Sequence, residues 1–213
     1  MRPFLILSAV LLPSALLLAS CETMSQEECL KGDWGAVGYK DGEAGRPQSR
    51  LDDHAKACAK AGVAPNPGPY FAAREQGLKL YCTPQRGFQE GRVGNGYAGV
   101  CPDRTAGAFL TAYADGKLVN AAAGRLSQAE SDLSSADSRA QKTERDGRGV
   151  EDELRNPKLN DEQTRELRDR LNRLRSQHSQ AVEDGRRADR DRRDAQHDVE
   201  MLQNRFTPVY GNW

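Results

Sequence analysis

The chain has 213 residues, with 31 Lys+Arg against 31 Asp+Glu, 37% hydrophobic residues and only 6% aromatics. That length allows one or two domains, and the composition is polar without being that of a fully disordered chain. Zero net charge removes the simplest case for a nucleic-acid or anionic-membrane binder, which needs an excess of basic side chains.

Residues 1–20 read as an export signal. Arg2 supplies a short positive start, and an apolar run follows from Phe4 to Leu18, broken by Ser8, Pro13 and Ser14. Such a run is short for a transmembrane helix, which needs about 20 apolar residues, but suits a secretory core. It ends Leu18-Ala19-Ser20-Cys21, which resembles a bacterial lipobox. That resemblance implies that Cys21 becomes the first mature residue and carries a covalent lipid, with no other cofactor expected. Glu22 stands where an inner-membrane retention signal would have Asp. The expected location is the cell envelope, lipid-anchored, at the outer membrane facing the periplasm.

Residues 21–116 hold the remaining cysteines, Cys29, Cys58, Cys82 and Cys101. Four cysteines in a small exported domain read as two disulfides with three possible connectivities. Locality favours Cys29–Cys58 and Cys82–Cys101. His54 lies four residues before Cys58 and could share a helix face with it. With no CxxC pair and an oxidising compartment, disulfides are preferred to zinc, so no metal site is expected. In the segment Asp52-Asp53-His54-Ala55-Lys56 the imidazole is expected to be solvated.

The same region repeats itself. Gly38-Tyr39-Lys40-Asp41-Gly42-Glu43-Ala44-Gly45 matches Gly87-Phe88-Gln89-Glu90-Gly91-Arg92-Val93-Gly94, and looser copies occur at Ala73–Gly77 and Ala112–Gly116. The spacing i, i+4, i+7 places three glycines on one helix face, where another backbone can approach closely. Packing of glycine-faced helices is the leading expectation. The alternative is a groove in which Tyr39, Asp41, Phe88 and Glu90 meet a wall glycan or peptide.

Two blocks carry a family resemblance. One runs through Glu28-Cys29-Leu30, Gly32-Asp33-Trp34, Gly38-Tyr39-Lys40-Asp41-Gly42 and Gly45. The other runs through Tyr81-Cys82-Thr83-Pro84, Gly87-Phe88, Gly91, Gly94, Tyr97 and Val100-Cys101-Pro102. Together they resemble the domain-of-unknown-function 2799 family of bacterial lipoproteins over roughly residues 21–116. The resemblance implies an envelope lipoprotein domain and brings no catalytic residue.

From 117 to 206 the grammar changes. Small or apolar residues recur in steps of three and four from Val119 to Leu154, stop at Asn156-Pro157, and resume from Thr164 to Phe206. That is a coiled-coil pattern interrupted by a turn near 155–160. Pro157 ends one helix, and Asn160 with Gln163 forms a capping box for the next. Folding the arms back pairs Leu171 with Gly147, Leu133 with Gly185, Ala136 with Ala181 and His178 with Ala140. His178 and Arg192 on the seam weaken its middle, so the hairpin is expected to be mobile there unless a partner lies along it. The Arg-rich stretch 185–194 is interleaved with Asp, so it is expected as a solvated helix surface and no nucleic acid as partner. The tail 207–213 is expected to leave the helix at Pro208 and to pack Tyr210 and Trp213 on the front domain.

The expected fold is all-α: a small disulfide-stapled domain of short glycine-rich helices, then a long antiparallel helical hairpin. No catalytic constellation stands out, and a non-enzymatic envelope lipoprotein is the leading functional expectation. Its expected partners are the membrane, through the lipid, and an envelope protein or the cell wall.

Overall fold

The computed structural model describes residues 23–213, so Cys21 and the signal at 1–20 lie outside the described residues. Among the described residues there are seven helices and no strand. They are α1 (Gln26–Lys31), α2 (Trp34–Glu43), α3 (Arg50–Ala59), α4 (Pro67–Tyr81), α5 (Pro84–Arg92), α6 (Asp103–Glu153) and α7 (Asp161–Tyr210). The fold is the all-α arrangement expected: a stapled front domain and a long helical hairpin.

The short helices start where side chains can satisfy their free N–H groups. Ser25 and Glu28 form a capping box on α1, Asp33 accepts from Ala36 at α2, and Thr83 accepts from Arg86 at α5. Each cap of this kind contributes about 1 kcal/mol. The cysteines pair as Cys29–Cys58, joining α1 to α3, and as Cys82–Cys101, joining the end of α4 to the start of α6. Around the first bridge Met24, Trp34 and Tyr70 form one apolar cluster; around the second, Leu78, Tyr81 and Phe109 form another.

Two close helix crossings organise this domain. In the first, a Cβ on Gly38 would lie 2.1 Å from the Tyr70 carbonyl oxygen, one on Gly42 2.2 Å from that of Arg74, and one on Gly77 2.2 Å from that of Tyr39. The second uses the same arrangement on α5 and α6. There Gly87, Gly91 and Gly116 would place a Cβ 2.4, 2.1 and 2.2 Å from the carbonyl oxygens of Phe109, Tyr113 and Phe88. Each strict copy of the sequence repeat therefore packs on one of the looser copies. Removing the side chains lets backbone meet backbone, which offsets the roughly 1 kcal/mol that each helical glycine costs.

The third glycine of each strict copy departs from expectation. Gly45 and Gly94 are left-handed, with φ of 63° and 79°, and stand just beyond α2 and α5 instead of on their faces. Arg46 N–H returns to the Asp41 carbonyl at 2.8 Å, and Asn95 N–H to that of Glu90 at 2.9 Å. This bonding ends a helix by satisfying carbonyls that would otherwise be left free, and it favours glycine.

The composition shift at Gly116-Lys117 falls inside α6, which is continuous from the second crossing into the hairpin. The arm is thus rooted in the front domain by a single continuous helix. Its far end turns through Pro157, and Asn160 and Gln163 make the expected capping box on α7. At 1.5 Å per residue the stretch from Ala122 to Glu153 extends about 50 Å beyond the crossing.

The buried seam is built mostly from the smallest side chains, Ala122, Ala129, Ala136 and Gly147 on α6 and Ala181, Gly185, Ala188 and Ala195 on α7, with Val119, Val150 and Leu171 as its larger members. Leu171 packs over Gly147, with its Cδ1 3.9 Å from the position of a Cβ there. Gly185, however, faces Ala136 at 3.7 Å, one turn from the expected Leu133. Leu133 is half-buried at the edge of the seam, which leaves the smaller Ala136 where the helices meet most closely. His178 Nδ1 lies 3.1 Å from the Ala140 carbonyl, as the folded-back pairing expects. Cross-arm pairs such as Arg125–Asp198, Arg139–Asp184 and Arg175–Glu151 are solvent-exposed and contribute at most about 1 kcal/mol each.

Leu171 is a large side chain buried in the hairpin, at 7% exposure. Leu171→Asp is expected to destabilise the hairpin by about 3 kcal/mol, through lost apolar burial and a carboxylate placed against Gly147. Circular dichroism should show a loss of helicity, and thermal melts a second, earlier transition.

The tail also departs from expectation. Helix α7 runs through Pro208 to Tyr210. Proline withdraws one N–H near a helix end, and aromatic packing holds this last turn in place. Phe88 stacks on Tyr210 at 4.3 Å between ring centroids, with Phe206 at 5.7 Å and Trp213 at 5.6 Å.

Candidate functional site

The acid of each repeat marks the two polar centres of the front domain. Asp41 projects from α2 into a buried network in which one carboxylate oxygen accepts the Tyr70 hydroxyl at 2.7 Å and lies 2.8 Å from His54 Nε2. A carboxylate only accepts, so Nε2 carries the proton in this bond and Nδ1 faces the Thr23 hydroxyl, 2.8 Å away. Desolvation, then the hydrogen bond to Asp41, holds the Tyr70 hydroxyl well above the usual phenol range.

His54 is 2% exposed, which corrects the expectation of a solvated side chain. The reason is the helix face it occupies. Leu51, His54 and Cys58 recur at three- and four-residue steps on α3, and the disulfide at Cys58 turns that face inward. The network joins α2, α3 and α4 to Thr23, two residues after Cys21. Hydroxyl, imidazole and carboxylate follow one another as in an acyl-transfer triad. Here the imidazole is enclosed and its carboxylate is shared with Tyr70, so the arrangement fastens Thr23 to three helices. The sulfur of Cys58 is bonded to Cys29 and offers no thiolate to a metal. Among the described residues no group of three or more His, Cys, Asp or Glu is arranged to hold a metal ion.

The second centre surrounds Glu90 on α5, which is 8% exposed. It pairs with Arg86 Nε at 2.9 Å and accepts from Asn95 Nδ2 at 2.7 Å. These side chains, with Arg46 and Tyr81, line a cleft of about 420 Å³ between the two crossings. Burial, then the neighbouring Glu90 charge, pushes the Tyr81 hydroxyl up to about 12.

Of the four residues considered for a ligand groove, Glu90 alone lines this cleft. Asp41 is committed to His54 and Tyr70. Phe88 is 2% exposed beneath Phe206, Tyr210 and Trp213, while Tyr39 stays 40% exposed on α2. Phe88 thus serves as the socket of the hairpin. Tyr210 reinforces it by donating its hydroxyl to Asp115 on α6 at 2.7 Å. Desolvation, then that bond, raises the Tyr210 hydroxyl to about 12.

Comparison with known proteins bears on this same region. Residues 33–118 match the model of a family described as "Protein of unknown function (DUF2799)". No curated protein and no solved structure matches the chain. The matched span begins at Asp33, the cap of α2, and contains both glycine crossings. Residues 33–118 therefore carry a region that matches the DUF2799 family.

Proposed function

We propose that this protein is a lipid-anchored lipoprotein of the cell envelope, non-enzymatic, that holds a slender helical arm away from the membrane to engage an envelope partner. The observation that carries this reading is the way the arm is mounted. Helix α6 leaves the second crossing without a break, and the end of α7 is clamped on Phe88, so both arms are fixed to one stapled base. The base in turn holds Thr23, two residues from the lipobox cysteine, through His54. Base and arm are thereby mounted as one unit close in sequence to the proposed anchor.

The arm has a narrow seam of Ala and Gly and a surface of alternating charges, which suits lateral contact with another elongated or charged surface. None of the described helices is long and apolar enough to cross a membrane, so attachment in this reading depends on the lipid at Cys21.

The anchor is tested by metabolic labelling with a fatty-acid analogue and by fractionation of cells. The native chain should carry label and sediment with the outer membrane, and Cys21→Ser should lose the label and release the protein from membranes. An unlabelled native chain, or membrane attachment unchanged by Cys21→Ser, would refute the lipid anchor.

A further inference from the structure

Arg74 is an unusual residue to enclose. It sits on α4 at the first crossing, where its own carbonyl abuts Gly42, and it is only 8% exposed. Its Nη2 donates to the Arg46 carbonyl at 2.5 Å, its Nε meets no acceptor, and no carboxylate pairs with it among the described residues. An enclosed guanidinium normally faces a carboxylate or phosphate, because desolvating a lone charge carries a large penalty. The fold leaves this one without a countercharge.

Beside it opens a cavity of about 680 Å³. Leu78, Cys82, Val100 and Pro102 give it apolar walls, and Lys79 and Arg104 add two further positive charges to its lining. Glu75 is the one carboxylate there, which leaves an excess of positive charge in the lining. We infer that this cavity between α4 and the start of α6 binds a small organic oxyanion, a carboxylate or phosphate monoester on a short apolar body, with Arg74 supplying the countercharge. The apolar body lies against Leu78 and Val100, and Lys79 and Arg104 attract the anion at the mouth. Cys82 of the second disulfide lines the cavity, so a bound ligand would touch both α4 and the start of α6.

Equilibrium dialysis of the full chain in nanodiscs of zwitterionic lipid tests this, with radiolabelled hexanoate and hexyl phosphate as probes and empty nanodiscs subtracted. Saturable binding of at least one probe is expected, and its preference tells a carboxylate ligand from a phosphate one. Hexanol, which lacks the charge, should not compete. Loss of the charge-assisted contact in Arg74→Gln should weaken binding about tenfold or more. Arg104→Glu, on an exposed position that does not support the fold, should weaken it in the same direction and decides the matter if Arg74→Gln misfolds. Absence of saturable binding by both probes would overturn the inference. So would affinities unchanged in Arg104→Glu and in a folded Arg74→Gln, or full competition by hexanol.

Discussion

Gly91→Ala is expected to destabilise the protein more than an ordinary surface substitution, although it adds a single methyl group. The new Cβ would lie 2.1 Å from the Tyr113 carbonyl oxygen and 2.9 Å from the Lys117 nitrogen, both backbone atoms of α6. Neither can rotate away, so α5 and α6 must separate by more than 1 Å, which strips contact from Phe88 and Ala112 in the cluster beneath. Overpacking of this kind costs about 1–3 kcal/mol, and the lost packing adds to it. For a chain of this size about 3 kcal/mol corresponds to a fall in Tm of about 6–12 °C. Gly42→Ala should behave alike, since its Cβ would meet the Arg74 carbonyl at 2.2 Å. Gly124→Ala supplies the contrast. Nothing lies within 4 Å of a Cβ there, on the open face of α6, so the substitution should stabilise by about 0.5–1 kcal/mol through helix propensity alone. Thermal denaturation of the three variants checks the scheme. A Gly91→Ala protein as stable as Gly124→Ala would mean that the crossing is looser than described.

Removing either disulfide should cost as much again. The bridges close loops of 29 and 19 residues, for which restriction of the unfolded chain corresponds to about 3–4 kcal/mol each. Replacing both members of a pair with Ala avoids leaving a hydroxyl in the core, which matters at Cys58, 0% exposed, and Cys29, 1% exposed. Urea denaturation should show both double variants with lower midpoints, differing from one another by only a few tenths of a kcal/mol, as the loop lengths differ little. Since the first bridge is enclosed by Met24, Trp34 and Tyr70, a mild reductant should open it slowly in the native protein and rapidly in urea. Prompt alkylation of Cys58 in native conditions would contradict that enclosure.

The hairpin was legible because thirteen seam positions in α7 keep one register, and the Asn156-Pro157 break could only be a turn. Register within a seam of Ala and Gly is weakly marked, since one small residue fits as well as its neighbour a turn away; hence Gly185 meets Ala136 and not Leu133. The glycine repeat was legible as a close-packing signal, but its pairing was not. That each strict copy packs on a looser one depends on the order of helices in space, with α3 inserted before α4. Two misreadings did carry a signal. Gly45 is followed two residues later by Pro47, a helix-stop pattern that identifies a left-handed cap. His54 shares a helix face with Cys58, and once that cysteine is assigned to a disulfide the imidazole must point inward with it. The shift in composition at Gly116 misleads for a different reason. Helix α6 uses one end as a partner for α5 and the other as an arm, so its surroundings change while its backbone does not.

The split of the groove residues follows from the same geometry. Tyr39 and Phe88 occupy equivalent places in the repeat, yet α7 returns to cover only the second. Phe88 is buried for that reason, while Tyr39 remains exposed. A duplicated unit has thereby acquired two different surfaces, one closed by the hairpin and one left to solvent.

The proposed role as an anchored arm is tested most directly by photo-crosslinking in living cells from Gln180, an exposed position midway along α7. A discrete adduct with an envelope component is expected from the native chain, and it should be lost when Leu171→Asp loosens the arm while the front domain stays folded. A clean monomer with no adduct from Gln180, at native expression levels and with the protein membrane-bound, would contradict an arm whose purpose is to engage a partner.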